Sequence, residues 1–195
     1  YSIMTEHINT EYSSLVTHDY TEYTALIDTC VEDVKYSLTE YPEFKIYGKK
    51  AIQHRCIAFY SNNSRGYTYS RKLEPSKPLT DNLKKLLILI NNNFNAEFNG
   101  ILVNLYNSGD DYISSHSDDE KEISSKGVLS ISVGAVRKFR IRDKSTRKIV
   151  KDIPTHSYHV IMMRGDFQKE FLHEIPIEKK IKDMRISFTF RKHES

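Results

Sequence analysis

The sequence predicts an α+β fold in which helices come first and a strand-rich core follows. Two observations carry that prediction. Apolar residues recur at helical spacing only in the first half of the chain, and from Gly100 onward they fall in short runs separated by turn residues. The composition agrees. With 38% hydrophobic and 28% charged residues the chain has the balance of an ordinary globular domain, and 195 residues suffice for one sizeable core but are few for two. One domain over residues 1–195 is expected, with helices and hairpins in about residues 1–99 and a catalytic core in about residues 100–191.

Taken in order, the first helix is expected within residues 21–40, where Tyr23, Leu26, Ile27, Cys30, Val31, Val34 and Leu38 share one face. A second starts at Thr80 and Asp81, a good N-cap pair, and runs through Ile90 until the asparagine-rich stretch 91–95 breaks it. Between the two, residues 45–50 (Lys-Ile-Tyr-Gly-Lys-Lys) read as a turn flanked by extended chain. Strands follow over residues 101–106, 128–132, 138–142, 160–163 and 185–190. Together they argue for a β-sandwich or jelly-roll core flanked by the helices.

No apolar run approaches the length of a membrane span and no signal peptide opens the chain, so no membrane association is expected. The first residue is Tyr rather than Met, as expected of an N-terminus trimmed together with any targeting segment. Cys30 and Cys56 are the only cysteines, and neither has zinc-type spacing; a reducing intracellular compartment, cytoplasmic or nuclear, and a monomeric state are expected. The net charge of +3 is unevenly spread. Arg137, Lys138, Arg140, Arg142, Lys144, Arg147, Lys148 and Lys151 crowd one segment, while acids crowd residues 110–122. Such a basic band suits a polyanion gripped by its backbone, and it suits a solvated charged hairpin equally well.

The chemistry points to His116-Ser-Asp118. A His-x-Asp/Glu pattern is weak by itself, since about one match is expected by chance among 8 histidines and 26 acids in 195 residues, and one occurs. Its context adds weight. Residues two apart on a strand share a face, so His116 and Asp118 reach one ion together, and His173 in the run Leu-His-Glu-Ile-Pro176 offers a second imidazole. Two imidazoles and one carboxylate on one side of a metal leave open positions opposite, the arrangement of non-haem Fe(II) oxygenases. A lone His at such a place is also commonly a satisfied surface residue.

Residues 185–191 (Arg-Ile-Ser-Phe-Thr-Phe-Arg) form the other half of the candidate site. Period-two alternation puts Arg185, Ser187, Thr189 and Arg191 on one face and Ile186, Phe188 and Phe190 on the other. Two arginines facing the inside of a barrel are costly unless anions neutralise them, and a dicarboxylate such as 2-oxoglutarate would do so. An edge strand with both arginines in water fits the same pattern. Asn104 and Tyr106 repeat the logic, two polar groups on one face of an otherwise apolar strand.

Taken together these residues resemble the AlkB family of Fe(II)- and 2-oxoglutarate-dependent dioxygenases. The resemblance spans roughly residues 47–191. It includes Asn104-Leu-Tyr106, His116-Ser-Asp-Asp-Glu120, the run Leu129-Ser-Ile-Ser-Val-Gly134 with Arg137-Lys-Phe139, Met163-Arg-Gly165, Gln168, His173-Glu-Ile-Pro176 and the strand ending at Arg191. Gly66-Tyr-Thr-Tyr-Ser70 looks like the nucleobase-pocket segment of the family. One departure is Ser157-Tyr-His159, where relatives usually carry a His-Gly pair, which puts the geometry of that turn in question.

The resemblance implies a double-stranded β-helix (jelly-roll) core under a nucleotide-recognition lid of hairpins, with Fe(II) held by His116, Asp118 and His173. It implies 2-oxoglutarate held by Asn104, Tyr106, Arg185, Ser187 and Arg191, with Ser187 standing where many relatives have Asn. Tyr67 and Tyr69 would line the base pocket, and Asp119 and Glu120 would contact the base edge or anchor arginines. Arg137 opens the basic segment expected to touch the nucleic acid, and Tyr47, bracketed by Lys45, Lys49 and Lys50, would wedge into a duplex; a Tyr packed on the fold is the other reading of that turn. The implied activity is oxidative demethylation of 1-methyladenine- and 3-methylcytosine-type bases in DNA or RNA, with O2 as oxidant, 2-oxoglutarate decarboxylated to succinate, and ascorbate as assay reductant. Two other readings stand beside it: a hydroxylase or demethylase of a protein substrate, and a non-catalytic nucleic-acid-binding module.

Overall fold

The computed structural model describes residues 4–69, 72–118 and 127–193. The first helix, α1 (Thr24–Val34), buries Ile27, Cys30 and Val34, and is framed by 3₁₀ turns at Thr21–Tyr23 and Lys35–Ser37. The second, α2 (Asp81–Phe94), starts as expected: the Thr80 side chain accepts the Leu83 N–H at 3.1 Å. Its end differs from expectation. The helix runs on through the asparagines to Phe94 and stops at Asn95, which is left-handed at φ 49°. Asn91 and Asn93 do not break it because their amides find partners outside the helix instead of the helix backbone. Asn91 brackets the backbone of Phe98 (3.0 and 2.8 Å), and Asn93 donates to the Tyr20 hydroxyl (2.7 Å).

The core is two facing sheets, a jelly roll. Nine strands make the larger: β1 (Met4–Asn9), β2 (Ser13–Asp19), β5 (Cys56–Tyr60), β6 (Gly66–Tyr69), β7 (Lys72–Lys77), β8 (Gly100–Tyr106), β10 (Val128–Gly134), β13 (His159–Gly165) and β15 (Arg185–Arg191). Their order is β1-β2-β13-β10-β15-β8-β5-β7-β6. The smaller sheet contains β9 (Ile113–His116), β11 (Lys138–Asp143), β12 (Ile149–Pro154) and β14 (Phe171–Ile175), in the order β12-β11-β14-β9. A separate hairpin pairs β3 (Glu43–Ile46) with β4 (Lys49–Ile52). A short helix, α3 (Phe167–Glu170), links β13 to β14.

Burial follows the alternation along each strand. The outward face of the large sheet (Ile101, Val103, Leu105, Leu129, Ile131, Ile186, Phe188, Phe190) packs against Ile27, Cys30, Val34, Leu83, Leu86 and Ile90 of the two helices. The inward face shares a second cluster with the small sheet, including Leu15, Ile161, Met163, Phe139, Ile141, Phe171 and Ile175. The expected division near residue 99 is corrected here. The large sheet draws β1, β2 and β5 from the N-terminal half, because β2 completes β13 and β5 completes β8. The turn at Ser157-Tyr-His159 also bears out its departure. Tyr158 sits at φ 62°, where glycine is at ease, and is held by its backbone bonds to Ser132 (2.7 Å) and Tyr20 (2.9 Å) and by its hydroxyl on Asp28 (2.6 Å).

Candidate active site

The metal triad is assembled by one strand pair. His116 ends β9, His173 lies mid-way along β14, and the two residues are direct cross-strand partners. Asp118 is not in the strand but two residues beyond its end, still on the side of the two imidazoles. Ligand-type atoms of the three lie within 4.8 Å of one another, with His173 Nε2 3.3 Å from Asp118 Oδ2 and His116 Nε2 3.9 Å from Asp118 Oδ1. The remaining ring nitrogen of His116 lies 2.8 Å from the Ser114 carbonyl, which fixes the proton there and leaves Nε2 a lone pair for the ion. The His173 ring stacks on Phe139 (5.2 Å, 12°).

The protonation states suit ligation. Burial, then the neighbouring His173 ring, hold His116 well below the ordinary imidazole range, so it is neutral near pH 7. Burial alone would push the Asp118 carboxyl up, but the Arg191 guanidinium at 3.5 Å and the His173 ring outweigh it and keep the group ionised. Asp118 is also held through its backbone: its N–H donates to Gln168 Oε1 at 2.8 Å. Gln168 is itself oriented by Met163 Sδ (3.5 Å), and Lys144 Nζ ties Ser117 Oγ (2.9 Å) to the Gln168 carbonyl (3.1 Å).

Behind the triad lies a buried chamber. Asn104 and Tyr106 on β8 face Ser187 and Arg185 on β15 as register partners, and all four, with Thr189 and Arg191, line it. Arg185 lies over the Tyr106 ring (5.2 Å) and donates to Ser132 Oγ (2.9 Å), while its Nε has no hydrogen-bond partner among the described residues. Burial depresses its pKa, the mark of a cation short of a counter-ion. Arg55, to which the sequence reading gave no role, donates to Asn104 Oδ1 at 2.8 Å and to Gln53 at 2.8 Å, and so orients the chamber amide. A lone Arg before an apolar strand carries no signal of this.

In front of the triad opens a cleft of about 490 Å³, lined by Tyr67, Thr68, His54, Tyr112, residues 114–118 and the hairpin residues Phe44, Ile46 and Ile52. His116, Asp118, Tyr67 and Arg55 border both spaces, so the triad stands at their junction.

A sequence profile described as the 2OG-Fe(II) oxygenase superfamily matches residues 14–191. The chain belongs to that superfamily. Within it, the chain is 29% identical over 169 residues to the DNA oxidative demethylase ALKBH2 of Homo sapiens, covering 83% of this chain and 65% of that protein. It is 32% identical over 149 residues to the human alkB homolog 3, an alpha-ketoglutarate-dependent dioxygenase, covering 71% of this chain and 51% of that protein. The chain thus spans just under two thirds of the first and about half of the second. These relatives put it on the AlkB branch. Among solved structures, OsALKBH1 matches at a TM-score of 0.62 with 14% identity, covering 97% of this chain and all of that one. A prolyl hydroxylase from Trichoplax adhaerens matches at 0.61 with 10% identity, covering 92% and 83%. Those two likenesses speak for the fold.

The residues present fit the two groups that a 2OG-Fe(II) oxygenase binds. A neutral imidazole at His116, a second imidazole at His173 and an ionised carboxylate at Asp118, with no thiolate, are a donor set for Fe(II). Arg185 supplies an inward cation beside Asn104 and Tyr106, as a bound dicarboxylate requires.

Of the remaining sequence expectations, Arg137 is corrected. It is 1% exposed, and its guanidinium donates to the carbonyls of Ser108 (3.1 Å), Asp111 (2.8 Å) and Pro176 (2.7 Å) and to Glu178 (3.4 Å). With every arm spent inward it pins the loop that leads into β9, and it offers nothing to a phosphate. Glycine at 109 is required in the same loop, because a Cβ there would collide with the Glu178 carbonyl. Further along the basic segment, Arg140 pairs with Asp152 (2.8 Å) and Arg142 with Glu174 (2.6 Å), which leaves Lys138, Arg147, Lys148 and Lys151 as its exposed cations. Tyr67 lines the cleft with Arg191 5.1 Å from its ring. Asp119, Glu120 and the side chain of Tyr69 lie outside the described residues.

Proposed function

We propose that this chain oxidatively demethylates N-alkylated nucleobases of the 1-methyladenine and 3-methylcytosine type in DNA or RNA. The observation that carries this reading is the position of the triad between two spaces of different character. One is a buried, arginine-lined chamber; the other is an open cleft under a lysine-bearing hairpin. Similarity to proteins named as DNA oxidative demethylases supports the same substrate class.

Fe(II) bound at the triad would activate O2, which oxidises both 2-oxoglutarate, giving succinate and carbon dioxide, and the methyl group, released as formaldehyde. The protein holds and orients. Arg185, Tyr106, Asn104, Ser187 and Arg191, which line the chamber, would hold the co-substrate, Arg191 being the arginine that reaches Asp118. Tyr67 and the His116 ring both line the pocket that would take the base. A target base reaches this depth only when unpaired or flipped, and a methylated pairing edge makes flipping easier.

The hairpin suits a duplex-probing role. Tyr47 and Gly48 form its two-residue turn at φ 48° and 77°, and Tyr47 is fully exposed at the tip. A bulky residue in the left-handed region is costly, and here the ring packs on nothing that would offset it. Lys45, Lys49 and Lys50 flank it, exposed. An aromatic wedge beside phosphate-binding cations accounts for both features. A reducing, intracellular setting goes with the proposal, since Cys30 and Cys56 are both free and buried. Among the described residues no helix is long and apolar enough to cross a membrane. A monomer suffices for the activity proposed.

Incubating the protein with Fe(II), ascorbate, 2-oxoglutarate and a 3-methylcytosine oligonucleotide, then weighing the oligonucleotide by mass spectrometry, tests the reading. Loss of one CH2 from the oligonucleotide is expected with the wild type and none with His173→Ala. Consumption of 2-oxoglutarate with the oligonucleotide mass unchanged would point to a different substrate.

A further inference from the structure

We propose that His54 and Tyr112 form a stacking platform for an unpaired nucleobase next to the target base. This rests on the nucleic-acid reading above and extends it to the substrate's neighbouring nucleotide. The two rings are 4.7 Å apart between centroids and only 19° from parallel. They come from segments 58 positions apart, joined by the bond from Tyr112 N to the His54 carbonyl (3.0 Å). Both line the cleft in front of the triad.

Local structure explains why they face outward. His54 and Arg55 sit in the bend between β4 and β5 and both line the cleft; Arg55 also reaches into the chamber to Asn104, while the exposed His54 stays at the cleft wall. Tyr112 immediately precedes β9, which runs from Ile113 directly to the ligand His116. At about 3.3 Å per residue the platform therefore lies roughly 13 Å along the strand from the metal ligand, beside the target pocket and outside it. Tyr112 is half-buried and His54 exposed, so the histidine is the working face and the tyrosine its backing.

Charge and composition identify the occupant. The same cleft is walled by Phe44, Ile46 and Ile52 of the hairpin, whose Lys45, Lys49 and Lys50 are exposed alongside. Flat aromatic faces interleaved with lysines suit a strand with stacked bases and a charged backbone. An aromatic side chain of a protein substrate would supply a flat ring but not the phosphates that the exposed lysines suit.

The test compares a methylated single-stranded oligonucleotide with 1-methyldeoxyadenosine monophosphate, which has no neighbouring base. His54→Ala is expected to raise KM for the oligonucleotide roughly 5- to 100-fold, the range for losing one stacked base, with kcat unchanged and the monophosphate unaffected. His54→Phe should recover most of the loss. A binding arm uses an oligonucleotide with 2-aminopurine beside the target. Its fluorescence should be quenched by stacking on the wild type and much less on His54→Ala, whether or not the enzyme turns over. Equal losses on oligonucleotide and monophosphate would overturn the platform, as would unchanged quenching in the variant. A wild type that neither demethylates the oligonucleotide nor binds it would instead overturn the nucleic-acid reading itself.

Discussion

Gln168→Leu removes one acceptor and leaves the volume nearly unchanged. In the native protein the Asp118 N–H, beside a buried ligand carboxylate, donates to Gln168 Oε1 at 2.8 Å. Leucine cannot accept that bond, so the donor is left unsatisfied at a cost of about 1–3 kcal/mol. Most of that cost falls on the ligand-competent conformation, because the loop can relieve it only by turning Asp118 away from His116 and His173. Supporting bonds of this kind typically contribute about 10- to 100-fold in metal affinity, which agrees with the same range of energies. Calorimetric titration of the metal-free protein with Mn(II) should therefore give a Kd raised roughly 10- to 100-fold. Gln168→Glu keeps an acceptor oxygen and should stay within a few-fold of wild type. A Gln168→Leu protein that is folded and binds Mn(II) as tightly as wild type would show that the Gln168 bond does not position Asp118.

Four further outcomes follow from the same geometry. Arg185→Met should raise KM for 2-oxoglutarate roughly 10- to 100-fold, as expected for losing a charged hydrogen-bonding partner, while leaving the ligand-free melting temperature the same or higher because a buried cation short of a counter-ion is gone. Arg137→Ala should lower stability to urea by about 3–5 kcal/mol, since it strips a buried cation from several carbonyls and Glu178, without weakening oligonucleotide affinity in the folded fraction. Tyr47→Ala should slow demethylation of duplex more than of single strand, and equal losses in the two rate measurements would remove the wedge. The last concerns pH. His116 has its folded pKa depressed to about 3, so below the unfolded value of 6.5 the unfolded chain takes up a proton that the native site refuses. Denaturant titrations of the metal-free protein should show stability falling as pH drops from about 6.5, and His116→Asn should flatten that slope.

Much of the core was legible because alternation is a local signal. Arg185, Ser187, Thr189 and Arg191 face the chamber, while Ile186, Phe188 and Phe190 face the helices, as period two requires. That β15 is central rather than an edge strand could not be read locally; its pairing with β8 and β10 decides it. The meeting of His116 with His173 depends likewise on the β9–β14 pairing across 57 residues. The N-terminal hairpin β1–β2 went unread because its residues are half-exposed and mixed, with Leu15 and Val16 adjacent rather than alternating. Arg137 was misread for an instructive reason. Charge crowding along a segment says nothing about which cation turns inward, and its neighbour Lys138 is exposed while Arg137 is buried. Arg55 and the His54–Tyr112 pair act through contacts between distant segments, which leave no periodic trace, and Gln168 was legible only through the family resemblance.

Product counting bears hardest on the proposal as a whole. With Fe(II), ascorbate, 2-oxoglutarate and a 3-methylcytosine oligonucleotide, succinate and formaldehyde measured in the same reaction should rise one for one, and both should vanish with Asp118→Ala. Succinate released at the wild-type rate with no formaldehyde from any methylated oligonucleotide would leave the oxygenase standing and contradict its assignment to nucleic acid.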